Sequence, residues 1–211
     1  MRYPTILLGL LVALFAGLAI SPPDRLTWAL ENSLVVAGVA TLVATHRRLR
    51  FTDLSYSLIF AFLVLHEIGA HYTYSLVPYD EWWESLTGRT LNEVLGWERN
   101  HYDRLAHFAF GALLAIPIRE LVQHVLAVRG ALSFALPIAI ALASSALYEL
   151  VEWVAASIFG DGTGAAYVGT QGDEWDAQKD MALALGGAVL AMVLAALAAT
   201  ALARRRASTR G

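Results

Sequence analysis

The chain has no cysteine among its 211 residues, which excludes a disulfide framework, a thiolate metal site and a thiol nucleophile. Its apolar runs lack the alternation of polar and apolar residues that marks a half-buried strand, so they do not read as barrel strands. Charge is sparse, at 16% of residues, and uneven: Met181 to Ala203 is a run of 23 residues without any. There is no sign of nucleic-acid binding, and a net charge of −3 says little where the distribution of charge matters more than its sum.

What is present is apolar surface. Hydrophobic residues make up 57% of the chain and the mean hydropathy is +0.54, with several uncharged runs near the ~20 residues needed to cross a bilayer. Backbone polar groups cannot stay unpaired in lipid, so the spans are expected to be helices. The class expected is an all-α, polytopic membrane helix bundle, with residues 1–211 as a single integral membrane domain. Six transmembrane helices are expected, at about Tyr3–Ile20, Leu26–Thr45, Asp53–His71, Asp103–Val122, Leu132–Phe159 and Asp176–Ala203. The first has the look of a signal sequence, with Ala16-Gly17-Leu18-Ala19 as a cleavage-like stretch, but its apolar run outlasts a typical h-region and retention is expected.

Orientation follows from the basic residues. Arg2, Arg47, Arg48, Arg50, Arg119, Arg129, Arg204, Arg205, Arg206 and Arg210 all fall on one side of the six-span arrangement, ten of the 15, which places both termini in the cytoplasm. Of the 18 acids, Asp53 and Glu120 alone share that side. The outer loop from Tyr72 to Asn100 mixes Tyr72, Tyr74, Tyr79, Trp82, Trp83 and Trp97 with Asp80, Glu81, Glu84, Glu93 and Glu98. It is expected to lie at the outer interface as short helices, an aromatic and acidic segment that anchors in lipid or covers the bundle. Gly160-Asp161-Gly162-Thr163-Gly164 fits neither phosphate-loop pattern and reads as a turn.

The ionisable residues of five helices fall at one depth. Glu31 belongs to the second span, His66, Glu67 and His71 to the third, Asp103 and His107 to the fourth, and Glu149 and Glu152 to the fifth. Asp173, Glu174, Asp176, Lys179 and Asp180 open the sixth. Glu67/His71 and Asp103/His107 are spaced i, i+4 and Glu149/Glu152 i, i+3, so each pair can share a helix face. Such groups in a bilayer normally face the bundle interior and one another. Acids packed closely need protons, Arg104, Lys179 or a metal ion among them. Histidines with carboxylates suit a divalent metal, Zn²⁺, Mn²⁺ or Fe²⁺, for which Asp103, His107, Asp176, Asp180, His71 and Glu67 are the candidate ligands. Glu149, Glu152 and His107 are the candidates for moving protons. A structural hydrogen-bond network is the competing reading, with Arg104 as a salt-bridge partner. Asp180, bordering the apolar run, is expected to sit deepest, and Asp173 and Glu174 to be solvated. Gly69, Gly111, Gly186, Gly187 and the alanines of the last span would let helices approach closely. Pro117 and Pro137 are candidate kinks, and Trp153 and Trp175 interfacial anchors.

Four stretches together carry a family resemblance: His66-Glu67-Ile68-Gly69-Ala70-His71-Tyr72-Thr73-Tyr74, Arg99-Asn100-His101-Tyr102-Asp103-Arg104-Leu105-Ala106-His107-Phe108, Tyr148-Glu149-Leu150-Val151-Glu152-Trp153, and Gly169 through Met181. On these the chain resembles the YjdF-like family of bacterial inner-membrane proteins, and more distantly the VanZ-like membrane bundles suspected of acting on lipid headgroups. The resemblance implies a fold and a site but no reaction. The leading expectation is a metal-dependent hydrolase or phosphotransferase, facing the outer leaflet, for a lipid or lipid-linked phosphate. The alternatives are a metal-ion or proton-coupled transporter and a non-catalytic envelope protein whose polar network is structural. The bilayer itself is the expected partner, and nothing in the sequence fixes an oligomeric state.

Overall fold

The structure, a computed structural model, describes residues 2–159 and 171–209. The expected turn at 160–164 falls outside them. The described residues form eight helices and no strand. These are α1 (Arg2–Leu18), α2 (Arg25–Thr45), α3 (Asp53–His71), α4 (Tyr79–Thr87), α5 (Leu91–Leu95), α6 (Tyr102–Val125), α7 (Leu132–Phe159) and α8 (Asp176–Ser208).

Five of them, α2, α3, α6, α7 and α8, are long and apolar enough to cross a membrane. The apolar α1 stops at Leu18, where the chain turns through Ser21 in a left-handed conformation, and has 17 residues. It is shorter than the expected Tyr3–Ile20. By contrast α6 and α8 run past their expected ends, Val122 and Ala203, because Gln123 and His124 on α6 and the three arginines on α8 do not oppose a helix once it leaves the apolar layer. The aromatic loop between α3 and α6 does contain two short helices, α4 and α5, each stopped by a glycine in the left-handed region, Gly88 and Gly96.

The most extensive packing is between α6 and α8. Asp103, His107, Gly111 and Ala115 lie on one stripe of α6, and Asp180, Ala184, Ala188 and Met192 on one stripe of α8, each at i, i+4 spacing. A Cβ on Gly111 would collide with the Ala184 carbonyl, and one on Gly187 with the Phe108 carbonyl. The two backbones are therefore in direct contact, as small residues permit in membrane helices. Gly111 opposes Ala184 and Ala188, and earlier on both helices Asp103 and His107 meet Asp180, so the helices run in the same direction. Below the glycines, Ala115, Ala188, Ala191 and Met192 join Ala141 of α7 in the buried apolar core. Gly69 also fills a close approach, but against the Tyr74 ring and not another helix; Gly186 has open space where a Cβ would stand. Pro117 and Pro137 are accommodated inside continuous helices.

At the opposite end from the acids, the Glu120 carboxylate of α6 accepts from the Thr52 amide at 2.8 Å, the Thr52 hydroxyl at 3.0 Å and the Ser55 hydroxyl at 2.5 Å. A carboxylate at the positive end of α3 satisfies amide and hydroxyl donors that lipid would leave unpaired. This fixes α3 against α6, and α1 in turn packs on α3.

Gly187→Ala is expected to lower stability by about 1–3 kcal/mol through overpacking. Gly186→Ala, next to it, is expected to be neutral or stabilising by about 0.4–1 kcal/mol, because it only restricts the unfolded chain. Thermal unfolding of both variants in one detergent checks the contrast, and equal losses would show that the α6–α8 contact is looser than described.

Candidate functional site

The stripe that packs α6 on α8 carries its polar residues at the beginning of each helix. Asp103 and His107 stand two turns and one turn above Gly111, and Asp180 one turn above Ala184. As a result one ligating atom from each of Asp103, His107 and Asp180 lies within 4.8 Å of the other two. Asp180 is 1% exposed and His107 is buried with it, and one Asp180 oxygen, Oδ1, has no hydrogen-bond partner among the described residues. Glu149 comes in from α7, with Oε1 3.2 Å from His107 Nε2, while Asp103 Oδ1 is 3.7 Å from the same nitrogen. The other imidazole nitrogen, Nδ1, lies 3.1 Å from the Ser145 hydroxyl. A cavity of about 350 Å³ opens above this group, walled by Asp103, Glu149, Asp173, Glu174, Asp176 and Asp180.

The upper tier of acids is matched by cations. Arg99 grips Asp176 with two nitrogens, at 2.6 and 3.2 Å, and Arg104 reaches Asp176 at 3.3 Å and Asp173 more closely still. Lys179 bonds Asp173 at 2.6 Å. The segment before α6 is held for this purpose by Asn100 and Gln171, whose contacts are reciprocal: the Asn100 amide donates to the Gln171 side chain and the Gln171 side chain donates to the Asn100 carbonyl, both at 3.0 Å. Tyr79 steadies the same segment by accepting from the His101 amide at 2.9 Å. The hydrogen bond from Lys179 is the main cause that draws the Asp173 carboxyl down from its ordinary 3.8 to about 2, with the Trp175 amide and Arg104 adding to it.

The other expected site residues are distributed as follows. Asp176 lines the cavity but spends its oxygens on the arginines. Glu152 is buried on α7 behind Glu149. Glu31 of α2 accepts from the Tyr148 hydroxyl at 2.5 Å. His66 bonds the Tyr74 hydroxyl at 2.6 Å. His71 turns away from the cavity, its Nδ1 2.7 Å from the Leu18 carbonyl at the end of α1. Glu67 is fully buried without a hydrogen-bond partner for either oxygen among the described residues, and it lies outside the Asp103, His107 and Asp180 group. Asp173 is not merely solvated: it is the hub of Lys179 and Arg104. Glu174 is exposed, as are Trp153 and Trp175. Arg99 and Ser145 had no part in the sequence reading of the site. Arg99 sits in a loop where helical periodicity gives no address, and Ser145 carries no charge to draw notice in an apolar helix.

The chain belongs to a family described as a predicted membrane protein, DUF2238, whose family model matches residues 3–201. It is 41% identical over 187 residues to the inner membrane protein YjdF of Escherichia coli strain K12, covering 88% of this chain and 84% of that relative. No solved structure matches it. Membership of the family expected from the four motif stretches is thus borne out.

Arg99→Ala leaves the buried Asp176 with only its longer contact to Arg104, and is expected to cost about 3–5 kcal/mol. Lys179→Ala, removing a half-exposed cation, is expected to cost less than about 1 kcal/mol. Chemical denaturation of both in one detergent separates them. The depressed Asp173 value contributes stability that is complete above its unfolded value near 3.8 and is lost as pH falls through about 2. Asp173→Asn is therefore expected to flatten the loss of stability between those two values. An unchanged acid limb would remove Asp173 from the ion-pair tier.

Proposed function

We propose that the protein is a divalent-metal-dependent hydrolase or phosphotransferase acting on a lipid or lipid-linked phosphate. In this reading it is a single six-span domain of the bacterial inner membrane with both termini cytoplasmic, α1 forming a short first span and the cavity facing the outer leaflet. The observation that carries the chemistry is the gathering of Asp103, His107 and Asp180 ligand atoms within 4.8 Å, beneath a cavity large enough for a phosphate headgroup. Two carboxylate oxygens and one imidazole nitrogen suit Zn²⁺, Mn²⁺ or Fe²⁺. A metal held there supplies a Lewis acid for a phosphoryl oxygen and an acidified water.

The residues around it have separate tasks. Glu149, beside His107 and facing the cavity, is the proton acceptor, and Glu152 behind it is the next carboxylate to which the proton can pass. Arg99 and Arg104, paired with Asp173 and Asp176 of the cavity wall, carry planar guanidinium groups suited to hold a phosphate while the aspartates hold them in place. The exposed Trp82 and Trp83 of α4 and Trp175 at the start of α8 supply amphipathic rings at headgroup level. The positive-inside distribution of arginines supports the orientation, and the inner-membrane name of the E. coli relative supports the compartment.

A second reading, ion-coupled transport, is favoured by Glu67, a fully buried carboxylate without a hydrogen-bond partner among the described residues, at a distance from the metal-ligand group. It suffers from the near absence of charge in the inner halves of the helices.

Elemental analysis of the purified protein is expected to find a stoichiometric divalent metal that is lost in His107→Ala and Asp180→Ala. With Glu149→Gln the metal should remain while release of phosphate from phosphatidic acid or a polyprenyl diphosphate falls by about 10²–10⁴-fold. Absence of both metal and turnover under broad metal supplementation would sink the enzymatic reading. Metal-dependent uptake into proteoliposomes without turnover would install the transport reading in its place.

A further inference from the structure

We infer that Ser145 of α7 is a positioning residue that pairs with either tautomer of His107 and so leaves Nε2 available to a metal. The inference rests on the metal-site reading above and names a residue outside the set of ligands and acids.

His107 is buried, and both of its ring nitrogens are addressed. Nδ1 lies 3.1 Å from Ser145 Oγ, itself 3% exposed. Nε2 looks the other way, toward Glu149 Oε1 at 3.2 Å and Asp103 Oδ1 at 3.7 Å. A neutral imidazole has one N–H, so its two tautomers make opposite demands on the two sides. In one, the Ser145 hydroxyl donates to Nδ1 and Nε2–H faces the carboxylates. In the other, Nδ1–H donates to Ser145, and the Nε2 lone pair faces the oxygens of Glu149 and Asp103, with Asp180 the third member of the ligand group. The second is the form that can ligate, and metal-ligating histidines are held in this way by a partner on the other nitrogen.

A hydroxyl is suited to the position because it donates to one tautomer and accepts from the other. A backbone carbonyl or a carboxylate would lock Nδ1–H permanently, and an alanine would leave Nδ1 unpaired in an apolar interior. The Tyr148 ring, edge-on to His107 at 6.0 Å between centroids, limits how far the imidazole can rotate to find another partner. Ser145 therefore lets His107 rest against Glu149 when the site holds no metal and present Nε2 when it does, with no ring flip and no buried nitrogen left unmatched.

The test is calorimetric titration of the full-length protein in detergent micelles with Zn²⁺ alone and Mn²⁺ alone, alongside thermal unfolding of the metal-free forms. Ser145→Ala is expected to weaken metal binding by about 10–100-fold while Ser145→Thr, which keeps the hydroxyl, stays close to wild type. A merely structural serine would lower the melting temperature of metal-free Ser145→Ala and leave its metal affinity unchanged, which overturns the inference while the metal site stands. If the threonine methyl prevents folding, the affinity and melting of Ser145→Ala decide between the same two outcomes. A wild-type protein that binds neither ion removes the metal site, and the role of Ser145 goes with it.

Discussion

The direct backbone contact of α6 with α8 is the constraint on which the rest depends. Gly111 and Gly187 leave no room for a Cβ on either helix, and the two helices run parallel, so whatever stands one or two turns nearer their shared beginning is brought face to face. On α6 that is Asp103 and His107; on α8 it is Asp180. The same stripe is apolar and tightly packed below and ionisable above, and the transition occurs within one turn on both helices. A site built on two touching helices is held by the packing of its own supports, which is a more rigid arrangement than a site borne on loops.

Pairing with cations then sorts the acids into two tiers. The upper tier, Asp173 and Asp176, is matched by Arg99, Arg104 and Lys179, with charge-assisted bonds that include a two-point grip by Arg99. The lower tier of Asp103, Asp180 and Glu149 has His107 among its members but makes no ion pair with an arginine or lysine among the described residues. Two tiers a turn apart in the same helices thus differ in how their charge is balanced. An upper tier neutralised by the protein's own cations can be structural; a lower tier left acidic, buried and open to a cavity is suited to an added cation.

The outline of this arrangement was legible in the sequence because it rests on periodicity. Asp103 with His107 at i, i+4, and Asp180 at the edge of the uncharged run, already placed three groups on inward faces at one depth. What periodicity cannot show is which neighbour a side chain chooses when several lie within reach. His71 shares a helix face with Glu67, yet its ring is taken by the Leu18 carbonyl, an acceptor exposed where α1 ends. Asp176 shares a face with Asp180, yet Arg99 claims it from a loop whose position depends on the Asn100–Gln171 pair. The length of α1 was overestimated for a related reason: hydropathy continues through Ala19 and Ile20, whereas the backbone turns at Ser21 ahead of Pro22-Pro23.

The manner in which α2 is attached shows how the bilayer alters these choices. Its buried residues are Thr27, Glu31 and Asn32, all polar, while Leu34, Val36 and Val43 are exposed. Lipid is as apolar as leucine, so burying leucine against another helix gains little there, and polar groups become the means of association. The Glu31 carboxylate meets the Tyr148 hydroxyl on α7, and the Tyr148 ring stands edge-on to His107. A helix with little packing of its own is in this way coupled through a single tyrosine to the imidazole at the centre of the site.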